Sequence, residues 1–347
     1  GVGGGCLALI EPHTVTVALP ACAVTAPLKE PWAIITSASV PAVTVASMSP
    51  PAVTVDAAPA SMEPSIVSPA NTLAEPYPCT VALIVLAVDN ATSLPLDRPL
   101  ITASSGNHGI ACSHAAQITG HQLTVVLPET VAPAKLAKVK SFGTEVILHG
   151  AESGLAETHA QSLAASGEYV YVSPYNDAEV IAGQGSIGLE LLEQLPHIDN
   201  VFIAMGGGGL ISGIGSVLKS FLPGCRIIGV SASNSAALAT SITAGHVVEI
   251  EHLDTLADGI AGGVDDDAIT LALATEVIDR VVHCDEEEIV SALKTLAWTE
   301  KQIVEGAAGL ALAGYLADQK EYEGQASVVV LCGANFEKAA LMQAIAS

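Results

Sequence analysis

Gly206–Gly207–Gly208–Gly209–Leu210 is the stretch of this 347-residue chain best suited to hold an anion. It follows an apolar run, Val201–Met205, and opens a helix-length segment, Leu210–Phe221. Glycines let a backbone turn tightly and bring successive N–H groups toward one point. A helix start adds unpaired donors and the positive end of the peptide dipole, so the pattern suits a phosphate. No Gly-Lys-Ser/Thr follows, which excludes a Walker loop, and Ile211 stands where a dinucleotide fingerprint needs its third glycine. A tight structural turn alone would need fewer than four consecutive glycines. The second candidate is Ser104–Ser105–Gly106–Asn107–His108–Gly109, again between an apolar run and a helix-length segment. Taken alone it reads equally well as a helix cap, because Ser, Asn and Gly are ordinary capping residues.

The elements that must carry these turns alternate regularly from Pro99 onward. Short apolar runs (Leu100–Ala103, Leu123–Leu127, Glu145–Leu148, Tyr169–Val172, Val201–Met205, Arg226–Val230, Ser327–Leu331) are separated by helix-length stretches. The latter are His108–Thr119, Pro133–Ser141, Glu152–Ala165, Ser186–Gln194, Leu210–Phe221, Glu286–Ala297 and Ala307–Asp318. Strands joined through helices predict crossover connections and mostly parallel sheets covered on both faces, an α/β fold.

The first ninety-odd residues differ in kind. No glycine occurs between Gly5 and Gly106, Lys29 is the only Lys or Arg before Arg98, and 14 of the 19 prolines fall at or before Pro99. Segments such as Thr14–Ala18 and Val40–Val45 are β-branched, but prolines interrupt them. This block predicts a disordered Ala/Pro/Thr/Val tail. The expected organisation is an atypical region over 1–97, a small domain over 98–176 and a large domain over 177–347.

Composition narrows the partners. The net charge of −24 argues against nucleic acid, whose binding rests on Lys and Arg. No apolar run is long enough for a membrane helix. Seven scattered cysteines without a CxxC pair disfavour a disulfide framework or zinc site and suit a reducing cytoplasm.

Ser104–Gly109 and Gly206–Leu210 together resemble the fold-type II pyridoxal-phosphate (PLP) enzymes, within the serine/threonine dehydratase and serine racemase branch. Ser173–Asp177 leading into Val180–Ser186, Leu256–Gly259, Ile303–Gly309 and Leu331–Asn335 extend the likeness to the C-terminus. The resemblance implies a two-lobed, tryptophan synthase β-like architecture. It implies that Gly206, Gly207, Gly208, Gly209 and Leu210 hold the cofactor phosphate and that Asn107 bonds the ring hydroxyl. Ser104 belongs to the loop that receives the substrate carboxylate, Glu305 sits near the ring, and Cys332 faces the pyridine nitrogen. A thiol there leaves that nitrogen less fully protonated and suits β-elimination.

The family also needs a lysine that joins the cofactor as a Schiff base. In register with the family's motif, Ile84 occupies the lysine position and Leu86 the arginine. The resemblance therefore implies a threonine/serine dehydratase that is inactive or impaired. Two explanations compete: a non-catalytic PLP- or amino-acid-binding paralogue, or an N-terminal block that is a decayed or faulty translation. Racemisation is the alternative activity, since Ser105 stands where racemases of the family keep an acid/base on the opposite cofactor face. Their metal-binding carboxylates would fall near Ser231 and Ala237, neither of which is acidic, so no metal is expected. A small amino-acid substrate and a homo-oligomer, dimer or tetramer, complete the expectation.

Overall fold

The computed structural model describes residues 15–19, 33–36, 98–151 and 153–346. The smaller unit is a four-stranded sheet in the order β5-β4-β3-β6, with β3 Leu100–Ala103, β4 Leu123–Leu127, β5 Glu145–Leu148 and β6 Val170–Tyr171. Every pair in it is parallel. Three helices supply its crossovers: α1 Asn107–Thr119, α2 Pro133–Lys140 and α3 Ser153–Ala165. They divide between its faces, with Ile110, Ala111 and Ala115 of α1 in one cluster and Ala156 and Ala160 of α3 in the other.

The larger unit is a six-stranded sheet in the order β2-β1-β10-β7-β8-β9. Its strands are β1 Val15–Leu19, β2 Ala33–Thr36, β7 Asn200–Ala204, β8 Arg226–Ala232, β9 Arg280–Cys284 and β10 Ser327–Val330. All neighbours run parallel except the β1–β2 pair. A tail without structure was expected over β1 and β2. Instead β1 pairs in register with β10 from Val15↔Ser327 to Ala18↔Val330. The β-branched run there meets the edge of a parallel sheet, and pairing offsets the weak local signal.

Alternation along these strands makes two cores. Phe202 and Ala204 of β7 and Val329 of β10 enter one, while Val201, Ile203, Val328 and Val330 enter the other. This is the side-chain period of a strand buried on both faces. Phe202 meets Tyr315 and Tyr322 edge-on, with ring centroids 5.4 and 4.9 Å apart. The helices of the larger unit are α4 Ala178–Gln194, α5 Gly209–Phe221, α6 Ala237–Ala244, α7 Ile269–Val277, α8 Glu286–Lys294, α9 Gly306–Ala317 and α10 Lys338–Ala346.

The sequence pattern places the start of α4 at Ser186, eight residues late. Asp177 caps the helix by accepting the N–H groups of Glu179 and Val180. Gly183, Gly185 and Gly188 argue against a helix by propensity, yet α5 lies against this face. A Cβ at Gly188 would come 2.9 Å from Val217, and one at Gly213 would come 2.3 Å from the Ile181 carbonyl. The glycines are what let two helices approach, and tertiary packing overrides propensity. β9, α6, α7 and α10 also lack a clear sequence signal; each is short and half-buried.

Candidate cofactor site

The candidate residues gather at the carboxyl ends of the parallel strands, between the two units. Ser104–Asn107 follows β3, Gly206–Gly209 follows β7, and Cys332 lies just beyond β10. Strand ends of this kind open a crevice in parallel sheets.

Glu305, immediately before α9, is the centre of the polar cluster. It is 4% exposed. Its Oε1 accepts Asn107 Nδ2 at 2.9 Å, and its Oε2 accepts the Asn335 N–H at 2.9 Å. The Cys332 thiol lies 4.0 Å from Oε1. Asn107 and Glu305 are 198 residues apart and come from different units. Gly333 makes the junction possible, because a Cβ there would lie 2.5 Å from Glu305 Oε1 and 2.6 Å from Asn107 Nδ2. Burial raises the Glu305 carboxyl to about 7, partly opposed by the Asn335 N–H and the Asn107 amide. Near neutral pH this side chain can therefore hold or release a proton. Burial and the Glu305 carboxylate push the Cys332 thiol well up, so it stays a neutral S–H.

The glycine turn has the donors that its sequence promised. Among the described residues, the N–H groups of Gly206 to Ile211 donate to no acceptor. Gly208 has φ +93°, which favours glycine, and Thr270 Oγ1 donates to the Gly207 carbonyl at 2.7 Å. The glycines also have packing reasons. A Cβ at Gly206 would meet the Ile260 backbone at 2.8 Å, and one at Gly207 would meet the Tyr175 ring at 2.5 Å. The short turn Asp258–Ile260 thus touches the cradle through Ile260, and it reaches Glu305 through Gly259, whose built Cβ lies 3.8 Å from Oε1.

Ser104 Oγ accepts the Gly106 N–H at 3.1 Å, and Ser104 and Ser105 are half-buried in the turn into α1. His108 is buried beneath this turn, with Nε2 3.0 Å from Thr102 Oγ1 and 3.2 Å from the Val172 carbonyl. Burial lowers its pKa to about 4, so the imidazole is neutral. Leu210 is in the first turn of α5. Ser231 ends up buried on β8 and Ala237 buried at the start of α6. Ile84 and Leu86 lie outside the described residues.

Two contributors were given no role from the sequence. Lys135 on α2 reaches across the units to Asp258 at 2.7 Å, and Tyr175 lies against the glycine turn. The Lys135 contact left no signal, because spacing cannot show which lysine faces another lobe. Tyr175 follows a strand end, where a large aromatic could have drawn notice. A separate cavity of about 490 Å³ opens at the amino ends of the smaller sheet's strands, lined by residues such as Gln117, His121, Phe142 and Glu145, and no motif residue reaches it.

The residues present fit a phosphorylated pyridine. Uncommitted backbone donors suit the phosphate, and Asn107 Oδ1 is buried with no described partner, leaving an acceptor for a hydroxyl. The two-lobed, parallel-rich α/β fold is that of the fold-type II PLP enzymes. The family described as "pyridoxal-phosphate dependent enzyme" matches residues 82–333, and the chain belongs to it. It is 37% identical over 240 residues to an L-threonine ammonia-lyase of Thermotoga maritima, covering 69% of this chain and 59% of that one. It is likewise 37% identical to the biosynthetic L-threonine dehydratase of Salmonella typhimurium, covering 68% and 46%. The chain thus spans about half the length of these curated relatives. Among solved structures, the processed form of threonine deaminase isoform 2 from Solanum lycopersicum matches with a TM-score of 0.72 at 32% identity, over 77% of this chain and 78% of that one. Maize serine racemase matches with a TM-score of 0.68 at 28% identity, over 77% and 83%.

No described helix is long and apolar enough to cross a membrane, and no described group of three His, Cys, Asp or Glu side chains is placed to hold a metal.

Proposed function

We propose that this chain carries the cofactor pocket of a PLP-dependent threonine/serine dehydratase, with turnover impaired by Ile84. The observation that carries the pocket is the Asn107–Glu305 pair, joined across the two units at 2.9 Å beside the Cys332 thiol. When bound, the cofactor supplies an electron sink that makes the α-proton of an amino acid removable.

The remaining work falls to this chain's side chains. Backbone donors of Gly206 to Gly209 and the start of α5 hold the phosphate. Asn107 keeps its amide on Glu305 and offers Oδ1 to the ring hydroxyl. Ser104 and the N-terminus of α1 would orient an α-carboxylate, and Ser105 stands at the position of an acid/base on the opposite cofactor face. Cys332 would present a neutral thiol to the pyridine nitrogen, and Glu305 would hold or pass a proton close by. Isoleucine has no amine to move the α-proton, so β-elimination of water, after which hydrolysis of the freed imine takes up one water and gives ammonia and a 2-oxo acid, lacks its base.

The experiment adds PLP to the full chain, records absorbance, reduces with borohydride and maps any cofactor mass onto peptides. In parallel, 2-oxo acid release from threonine and serine is assayed. The expected result is phosphate-dependent cofactor binding with free-aldehyde absorbance, no label on lysine and no 2-oxo acid. Ile84→Lys should gain both label and product. Failure of the unmodified chain to bind PLP would overturn the pocket, and rapid 2-oxo acid release would overturn the impairment.

A further inference from the structure

The wall of the glycine turn comes from the connector between the two units. A Cβ built at Gly207 would lie 2.5, 2.6 and 2.9 Å from three ring carbons of Tyr175, and one at Gly209 would lie 3.1 Å from Tyr175 Cα. Tyr175 belongs to the segment that leads from β6 of the smaller sheet into α4 of the larger unit, whereas both glycines follow β7.

This ring is held from both directions. On the small-lobe side, the Val172 carbonyl accepts Thr102 Oγ1 at 2.7 Å and lies 3.2 Å from His108 Nε2. Ser173 Oγ then accepts the Asn176 N–H at 2.9 Å and the Tyr175 N–H at 3.4 Å. On the large-lobe side, Tyr175 Oη accepts the Asp265 N–H at 3.0 Å, and Asn176 Oδ1 accepts the Ile269 N–H at 3.0 Å. A side chain so restrained has little rotamer freedom left to lose when a ligand arrives.

The chemistry of the ring suits an anion's neighbour. Burial, then the Asp265 and Glu157 carboxylates, push the Tyr175 phenol well above its ordinary range. It stays a neutral phenol, so it adds no charge that would repel a phosphate. Its face covers the Gly207 backbone and leaves the turn's N–H groups without a competing acceptor.

We propose that Tyr175 is a positioning residue of the phosphate cradle, fixing the Gly206–Gly209 peptide planes from the segment that joins the two units, so that phosphate affinity depends on it. This inference rests on the cofactor reading above. Glycine at 207 is then needed for the ring as much as for the turn.

The test is the phosphate preference of the full chain, taken as the ratio of its dissociation constants for pyridoxal and pyridoxal 5'-phosphate by titration calorimetry. Tyr175→Phe keeps the ring and should keep the preference. Tyr175→Ala should lower it by about tenfold or more, the equivalent of one hydrogen bond to a charged group. Gly207→Ala attacks the same contact from the other side and should do the same, which keeps the test decisive if Tyr175→Ala fails to fold. The double variant should be no worse than the poorer single one, since both remove one contact. An unchanged preference in a folded Tyr175→Ala chain, or losses that multiply in the double variant, would overturn the inference and leave the cofactor pocket standing. An unmodified chain with no preference for the phosphorylated form would remove the cradle itself, and this inference with it.

Discussion

Replacing Glu305 by glutamine isolates the cost of keeping a carboxylate in the cleft. The folded chain raises this carboxyl from 4.5 to about 7, mainly by burial, and the side chain is 4% exposed. Each pH unit of that displacement is worth about 1.4 kcal/mol, so ionising Glu305 in the folded protein costs about 3 kcal/mol. Between pH 4.5 and 7 the folded chain holds a proton that the unfolded chain has released, so stability falls as pH rises through this window. Below it both states are protonated and above it neither is, so the contribution is flat. Glutamine keeps an acceptor for Asn107 but turns an amide toward the Asn335 N–H, which loses its partner at a cost of about 1–3 kcal/mol. Glu305→Gln should therefore be the less stable chain near pH 5 and recover about 3 kcal/mol relative to its parent by pH 8. Urea unfolding of both chains at half-unit pH steps, with equal m-values, measures that difference. A relative stability constant to within about 0.5 kcal/mol across the window would refute the buried, shifted carboxyl.

Two other substitutions test the geometry. Gly333→Ala should separate Asn107 from Glu305, because its Cβ would meet both side chains at 2.5–2.6 Å, whereas Gly259→Ala has 3.8 Å of room. The first should lose PLP affinity in calorimetry together with about 1–3 kcal/mol of stability, and the second should stay within about 0.5 kcal/mol of the parent. Asp285→Ala should cost about 1 kcal/mol in urea unfolding. It removes a reciprocal cap in which Asp285 accepts the Glu288 N–H at 2.9 Å and Glu288 accepts the Asp285 N–H at 2.8 Å.

Much of the architecture was legible because it is periodic. Leu100–Ala103, Leu123–Leu127 and Glu145–Leu148 are strands at the residues the apolar runs indicate. The reading failed where a residue's neighbour in space outranks its neighbours in sequence. Gly183, Gly185 and Gly188 weaken a helix locally, but Gly185 and Gly188 are needed where α5 approaches, so the start of α4 was missed. Thr295–Ala297, read as the end of the helix Glu286–Ala297, instead open a π-turn that runs over Thr295–Glu300 to Lys301 at φ +60°. The strands at 15–19 and 33–36 were hidden by the prolines around them and exist by pairing with β10 and with each other.

The site divides in the same way. Sequence by itself determined two chemical types, a glycine turn entering a helix and an asparagine in a Ser-Ser-Gly-Asn turn, while Glu305 and Cys332 were marked only by resemblance to the family. The two turns are local facts, since backbone freedom and capping are set by residues a few positions apart. Tertiary structure alone decided that Asn107 meets Glu305, that Lys135 meets Asp258 and that Tyr175 closes against Gly207. Each of these contacts joins residues far apart in sequence and carried by different elements. Which side chains meet across the cleft depends on how the two units pack, and no spacing along one segment encodes that.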